Sequence, residues 1–169
     1  MSGRTRFLTQ AALIAALYAV LTHLQNFLLP GSATWAIQMR LSEALCVLAF
    51  FTPAAIPGLT VGCLAFNITY AAALPLDFLV GSLATLAAAW GMWLTRKITV
   101  KGYPLAGMLM PAAANAVLVG WELTVYIGGG FALNALYVAL GELAVLLTAG
   151  SVLYYAIRKR HLDTKLFGR

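Results

Sequence analysis

Residues 7–29 read FLTQAALIAALYAVLTHLQNFLL, and the tract stops at Pro30 and Gly31, which break a helical pattern. Apolar residues run through it without the polar alternation of a barrel strand, over a length that matches a hydrocarbon layer of about 30 Å. The tract therefore reads as a membrane-spanning helix. It is too long for a signal-peptide core, and nothing after it resembles a cleaved soluble domain, so it is expected to remain as a span.

The rest of the chain is built the same way. With 62% hydrophobic residues, 9% charged residues and a mean hydropathy of +0.88 over 169 residues, the chain is more apolar than a soluble domain of this length could hide. The expected class is an all-α integral membrane protein with a single transmembrane domain over residues 1–169. Further tracts lie at about 36–52, 54–74, 77–95, 103–125 and 131–157, giving six expected spans, with Gly128 to Gly130 as the hinge between the last two. The second is short. From Leu41 to Phe51 an α-helix rises only about 17 Å, so it must begin near Ala36 to cross, and a re-entrant half-helix is the rival reading.

Basic residues precede the first tract (Arg4, Arg6), follow the fourth (Arg96, Lys97, Lys101) and follow the sixth (Arg158, Lys159, Arg160, Lys165, Arg169). Six spans put all three clusters on one side, which the positive-inside rule makes the cytoplasm, with both termini there. The net charge of +6 is then a matter of topology, and a nucleic-acid partner is not expected. Arg40 alone falls at an outer end, where the plain reading is an anchor that snorkels to lipid headgroups.

No phosphate loop, dinucleotide-binding glycine motif or HExxH is present, so the chain lacks the usual equipment for ATP hydrolysis, dinucleotide chemistry or zinc proteolysis. No covalent catalysis, cofactor or metal is expected, and uphill movement would draw on another chain or on an ion gradient. Cys46 and Cys63 lie in apolar tracts and read as small buried residues.

The acids carry the functional signal. Glu43, Asp77, Glu122 and Glu142 all map to the outer half, leaving only Asp163 in the tail. Glu142 lies some 16 Å down its helix from Phe131, near the bilayer centre, where a carboxylate costs about 2.5 to 3.5 kcal/mol, so it should face the interior. Asn115 and Glu122, and Asn134 and Glu142, recur at spacings that return to nearly one helix face, and Asn67 sits in the outer half of the third tract. These groups could pair as interhelical glue, at about 1 kcal/mol each. Four acids against one base favour instead a cavity for a ligand that brings hydrogen-bond donors or positive charge.

In MRLSEALCVLAFF, residues 39–51, Arg40 and Glu43 stand at i and i+3, and Arg40 is expected to orient Glu43 at the cavity mouth. Trp121 and Tyr126 read as interfacial belt residues, Trp35 as a lid over the cavity, and His23, beside Gln25 and Asn26, as a rim residue. In the first helix Ala11, Ala15 and Ala19, with Ala12 and Ala16 beside them, form a small-residue stripe for close approach of another helix, inside the chain or outside it. Gly58 and Gly62 form a GxxxG that reads as internal packing.

At RLSEALCVLAFFTPAAIPGLTVGCLAFN (40–67), LDFLVGSLATLAAA (76–89), PAAANAVLVGWEL (111–123) and VALGELAVLLTAG (138–150) the chain resembles the QueT-type queuosine-precursor transporters. These are substrate-binding S components of energy-coupling factor (ECF) transporters. The resemblance covers nearly the whole chain and implies a six-helix bundle in a prokaryotic cell membrane with both termini cytoplasmic. It implies a 7-deazaguanine ligand, such as preQ1 or queuine. Glu142, then Glu122, would take its lactam edge, Asp77 or Glu43 its aminomethyl cation, and Asn67 and Asn115 its carbonyl and ring nitrogens, while Arg40 would either donate to a ligand carbonyl or hold Glu43 in position. The alanine face of the first helix would dock on a transmembrane coupling subunit that works with two ATP-binding cassette ATPases. The rival readings are an S component for a vitamin or pyrimidine, an autonomous proton-coupled carrier using Glu142, and a small membrane enzyme with Glu142 and Glu122 as acid and base.

Overall fold

The computed structural model describes residues 2–32, 39–70 and 73–167, and among these the elements are helices, with one isolated antiparallel bridge between Val100 and Tyr103. The order is α1 (Gly3–Leu28), a 3-10 helix (Leu41–Phe50), α2 (Ala55–Thr69), α3 (Asp77–Thr95), α4 (Leu105–Met108), α5 (Met110–Tyr126), α6 (Phe131–Val145), a π-helical turn (Leu146–Gly150), α7 (Ser151–Lys159) and α8 (Leu162–Phe167). Four stretches are long and apolar enough to cross a bilayer: Gly3–Leu28, Asp77–Thr95, Leu105–Tyr126 and Phe131–Lys159. The expected second and third spans are the two shorter apolar helices, Leu41–Phe50 and Ala55–Thr69. The chain is a multi-pass membrane protein.

The second tract departs from expectation in its winding. At about 2.0 Å per residue a ten-residue 3-10 helix reaches about 20 Å, further than the same residues in an α-helix. Three residues per turn also stack positions i and i+3, so Glu43, Cys46 and Ala49 form one fully buried line. Side chains of α1 hold its beginning. Gln25 Oε1 accepts the backbone N–H of Leu41 at 2.7 Å, and the Thr22 hydroxyl donates to Ser42 Oγ at 2.7 Å.

The alanine stripe and the GxxxG motif, read separately in the sequence, face each other. A Cβ on Gly58 would stand 2.8 Å from the Ala11 carbonyl oxygen and 2.9 Å from Ile14 Cβ; one on Gly62 would stand 2.7 Å from Tyr18 Cβ and 2.8 Å from the Ala15 carbonyl oxygen. The two backbones are in contact through missing side chains, as small-residue helix pairs in membranes are. Ala11, Ala15 and Ala19 are half-buried in consequence, while Ala12 and Ala16 stay exposed. The docking stripe expected on α1 is thus divided, with Ala11 and Ala15 taken up inside the chain.

Both ends of the described chain meet at one end of the bundle. Arg6 Nη2 and Gln10 Nε2 in α1 donate to the Leu166 carbonyl in α8 at 3.0 and 2.9 Å. The turn between α5 and α6 uses Gly128 and Gly129 at φ of 89° and 81°, a left-handed backbone that favours glycine and places the hinge where the sequence put it.

Candidate functional site

The buried polar residues converge on Arg40. It is the cap of the 3-10 helix, with extended backbone, and only 4% exposed, so it is no snorkelling anchor. Its guanidinium lies 3.7 Å from Asp77 Oδ2, 3.9 Å from Cys63 Sγ and 5.7 Å from the centre of the Phe66 ring. The expected pairing with Glu43 is not formed; among the described residues the ion partner is Asp77, from α3. Because Arg40 precedes the helix, the i to i+3 neighbour relation of helical residues does not apply to it.

Glu43 is held from the other side. The Tyr18 hydroxyl of α1 donates to its Oε1, and the Cys46 thiol, one 3-10 turn on, donates to its Oε2 at 3.1 Å. Tyr18 is fully buried and was not singled out in the sequence. Its signal is weak, a tyrosine hydroxyl four residues before Thr22 on the inner face of a helix that otherwise reads as apolar.

Asn67 of α2 bridges to α3, its amide donating to the Asp77 backbone carbonyl at 2.8 Å and lying 3.6 Å from Cys63 Sγ. Gly81 makes room for this junction, since a Cβ there would come within 2.8 Å of Asn67 Nδ2 and 3.1 Å of Asp77 Oδ1. Both cysteines are free and buried as expected, and each touches the charged cluster.

Glu122 from α5 and Glu142 from α6 complete the group. Each is close enough to interact electrostatically with Arg40, Glu122 also with Asp77 and Glu142 also with Glu43. Neither oxygen of Glu122 has a hydrogen-bond partner among the described residues, and the same holds for Glu142 Oε2 and Asn67 Oδ1. The cluster thus holds acceptors in excess of donors, in a dry setting where an unmet carboxylate oxygen is costly. Such an arrangement has the chemistry to accept hydrogen bonds from a molecule rich in N–H groups.

One expected member stands apart. The Asn134 amide donates to Thr124 Oγ1 and to the Gly128 carbonyl, both at 3.0 Å, and so closes the α5–α6 turn; it does not join the cluster. Asn115 is buried on α5 and donates to the Pro111 carbonyl of its own helix at 3.1 Å. At the rim, His23 Nε2 lies 2.9 Å from Thr69 Oγ1, and Trp121 and Tyr126 are exposed. Gln25 also donates to Ser32 Oγ at 3.0 Å and to the Met39 carbonyl at 2.6 Å, fastening the residues on either side of 33–38. Trp35, expected as a lid, lies outside the described residues.

A multi-pass helical bundle with an acceptor-rich polar cluster between its helices has the build of a membrane transporter for a small polar molecule. The model of the QueT transporter family matches residues 8–159. The chain belongs to the QueT transporter family, and it is a transporter, not an enzyme. Neither a search of curated proteins nor one of solved structures returned a significant match.

Proposed function

We propose that this chain is the substrate-binding S component of an ECF-type ABC importer, capturing a queuosine precursor, a 7-deazaguanine such as preQ1 or queuine, from outside the cell. Its energising partners would be a transmembrane coupling subunit and two ATP-binding cassette ATPases in a prokaryotic cell membrane. The basic ends of α1, α3 and α7 would face the cytoplasm. The observation that carries the reading is Glu122, fully buried with both carboxylate oxygens unpartnered beside the Arg40–Asp77 pair.

A guanine-type edge offers N1–H and an exocyclic amine side by side, which one carboxylate accepts in two charge-assisted bonds. Neither Glu122 nor Glu142 accepts a hydrogen bond among the described residues, so both are open to the ligand, and the lactam edge is assigned to Glu122 as the more enclosed of the two, reversing the order taken from the sequence. Asp77 is engaged by Arg40 and Glu43 by Tyr18 and Cys46, which leaves Glu142 for the aminomethyl cation. Asn67 Oδ1 is then available to a ring N–H.

Titration of the purified chain with preQ1, queuine and a panel of vitamins and pyrimidines tests this. Glu122→Gln and Glu142→Gln are each expected to weaken deazaguanine binding by about tenfold or more, as loss of a charge-assisted bond implies, with the helical spectrum unchanged. Retention of a vitamin or pyrimidine without deazaguanine binding would remove the assigned ligand. The same unpartnered acids favour one second reading, an autonomous proton-coupled carrier. Uptake into liposomes holding only this chain and a pH gradient would establish it.

A further inference from the structure

At the end of the bundle where α1 meets α8, about ten residues along the 3-10 helix from the Arg40 cluster, a cavity of about 180 Å³ opens. It is lined by Phe50, Phe51, Arg96, Tyr154, Arg158 and Asp163. The volume is that of about six waters, room for a phosphate ester and the first atoms attached to it. Half of the lining residues are charged. None of these three forms an ion pair among the described residues, and Asp163 Oδ1 is buried there without a hydrogen-bond partner.

The two arginines are pre-positioned on aromatic faces. The Arg96 guanidinium lies 3.7 Å over the Trp93 ring and donates one N–H to the Trp93 carbonyl, and that of Arg158 lies 5.9 Å from the centre of Tyr154. Contact through the guanidinium face leaves in-plane N–H groups for an acceptor, and a phosphate has the oxygens to match them. An unpartnered carboxylate oxygen in the same cavity calls for a donor, and an ammonium meets it with charge as well. Phosphate and ammonium a few bonds apart describe phosphoethanolamine.

The depth of the cavity points to the source. Rings of Tyr103, Tyr154 and Tyr155 pack together beside it, and Lys159 and Arg160 follow Arg158, the mixture of tyrosine and basic residues found at headgroup level. We propose that this cavity holds the phosphoethanolamine headgroup of a membrane phospholipid, the phosphate on Arg96 and Arg158 and the ammonium on Asp163. Headgroup binding there would tie α8 to the ends of α3 and α7. The site is separate from the Arg40 cluster and does not depend on which substrate that cluster takes.

Native mass spectrometry of the purified chain with phosphatidylethanolamine or phosphatidylcholine of the same acyl chains tests the proposal. The quaternary amine of choline has no N–H to give, so retention of the ethanolamine lipid is expected to exceed that of the choline lipid by about fivefold or more. Asp163→Asn is expected to abolish this preference. The double variant Arg96→Gln, Arg158→Gln is expected to lower retention of the ethanolamine lipid about tenfold while preQ1 titration is unchanged. Equal retention of both lipids by the unaltered chain, or a preference that survives Asp163→Asn, would overturn the site even if the double variant failed to fold. Displacement of the lipid by equimolar soluble O-phosphoethanolamine would overturn the bilayer as source.

Discussion

At the residue scale the cluster works through matched deficits. Glu43 and Asp77 have protein partners, Tyr18 and Cys46 for the first and Arg40 for the second. Glu122 and Glu142 have none among the described residues. Under the proposed function the division separates acids that build the site from acids that face a ligand. Gly81 is part of the building. A methyl there would sit 2.8 Å from Asn67 Nδ2, so Gly81→Ala must displace the Asn67 amide from the Asp77 carbonyl or push α3 away from α2. Deazaguanine affinity is expected to fall about tenfold in titration, the worth of one hydrogen bond to a charged or buried group, and the melting temperature by a few degrees. Unchanged affinity would show that the α2–α3 junction does not shape the site. That these acids mattered was legible, because a carboxylate in an apolar tract is too costly to be incidental. Their partners were not, since Arg40 sits one residue before its helix with extended backbone and the sequence offers no sign of that.

At the scale of elements, hydropathy located every long helix, yet it was silent on winding. A tract that is apolar all round hides its period, so Leu41–Phe50 gave no hint of three residues per turn, nor Leu146–Gly150 of a π turn one helical turn after Glu142. The two irregular segments are neighbours, and a Cβ on Gly150 would stand 3.4 Å from Val47 Cγ2. Close packing of α1 on α2 was half legible. Each small-residue motif could be seen, and only the structure joins them. Since the obstacles at Gly58 and Gly62 are the Ala11 and Ala15 carbonyls, which cannot rotate away, Gly58→Ala and Gly62→Ala are each expected to cost about 1 to 3 kcal/mol. Thermal unfolding in detergent measures this, and the double variant should separate α1 from the bundle before the rest melts. Melting temperatures within error of the unaltered chain would mean that the two helices do not pack this closely.

At the scale of the whole molecule, α1 is the outlier. Of the four long spans it is the least enclosed, with 17% of its best apolar window buried against 33% to 44% for the others. Its inner side is consumed by α2 and by the hydrogen bonds to Glu43 and Ser42, which leaves Ala12 and Ala16 on a smooth outward face flanked by exposed Leu8, Leu13 and Val20. A lone transporter has no use for a small-residue strip turned toward lipid, where bulky side chains serve as well; a chain that must press a helix against another protein does. Under the S-component reading that protein is the coupling subunit, and Ala12→Trp with Ala16→Trp is expected to separate capture from delivery. The purified variant should bind deazaguanine with its ordinary affinity, because both side chains are exposed whereas the cluster is buried. Cells supplying the coupling module should lose uptake of labelled preQ1 by about tenfold or more, as a tryptophan holds the helices apart. Uptake that survives both substitutions would place the coupling contact elsewhere on the bundle, whereas parallel loss of binding would show that the outward face of α1 supports the site itself.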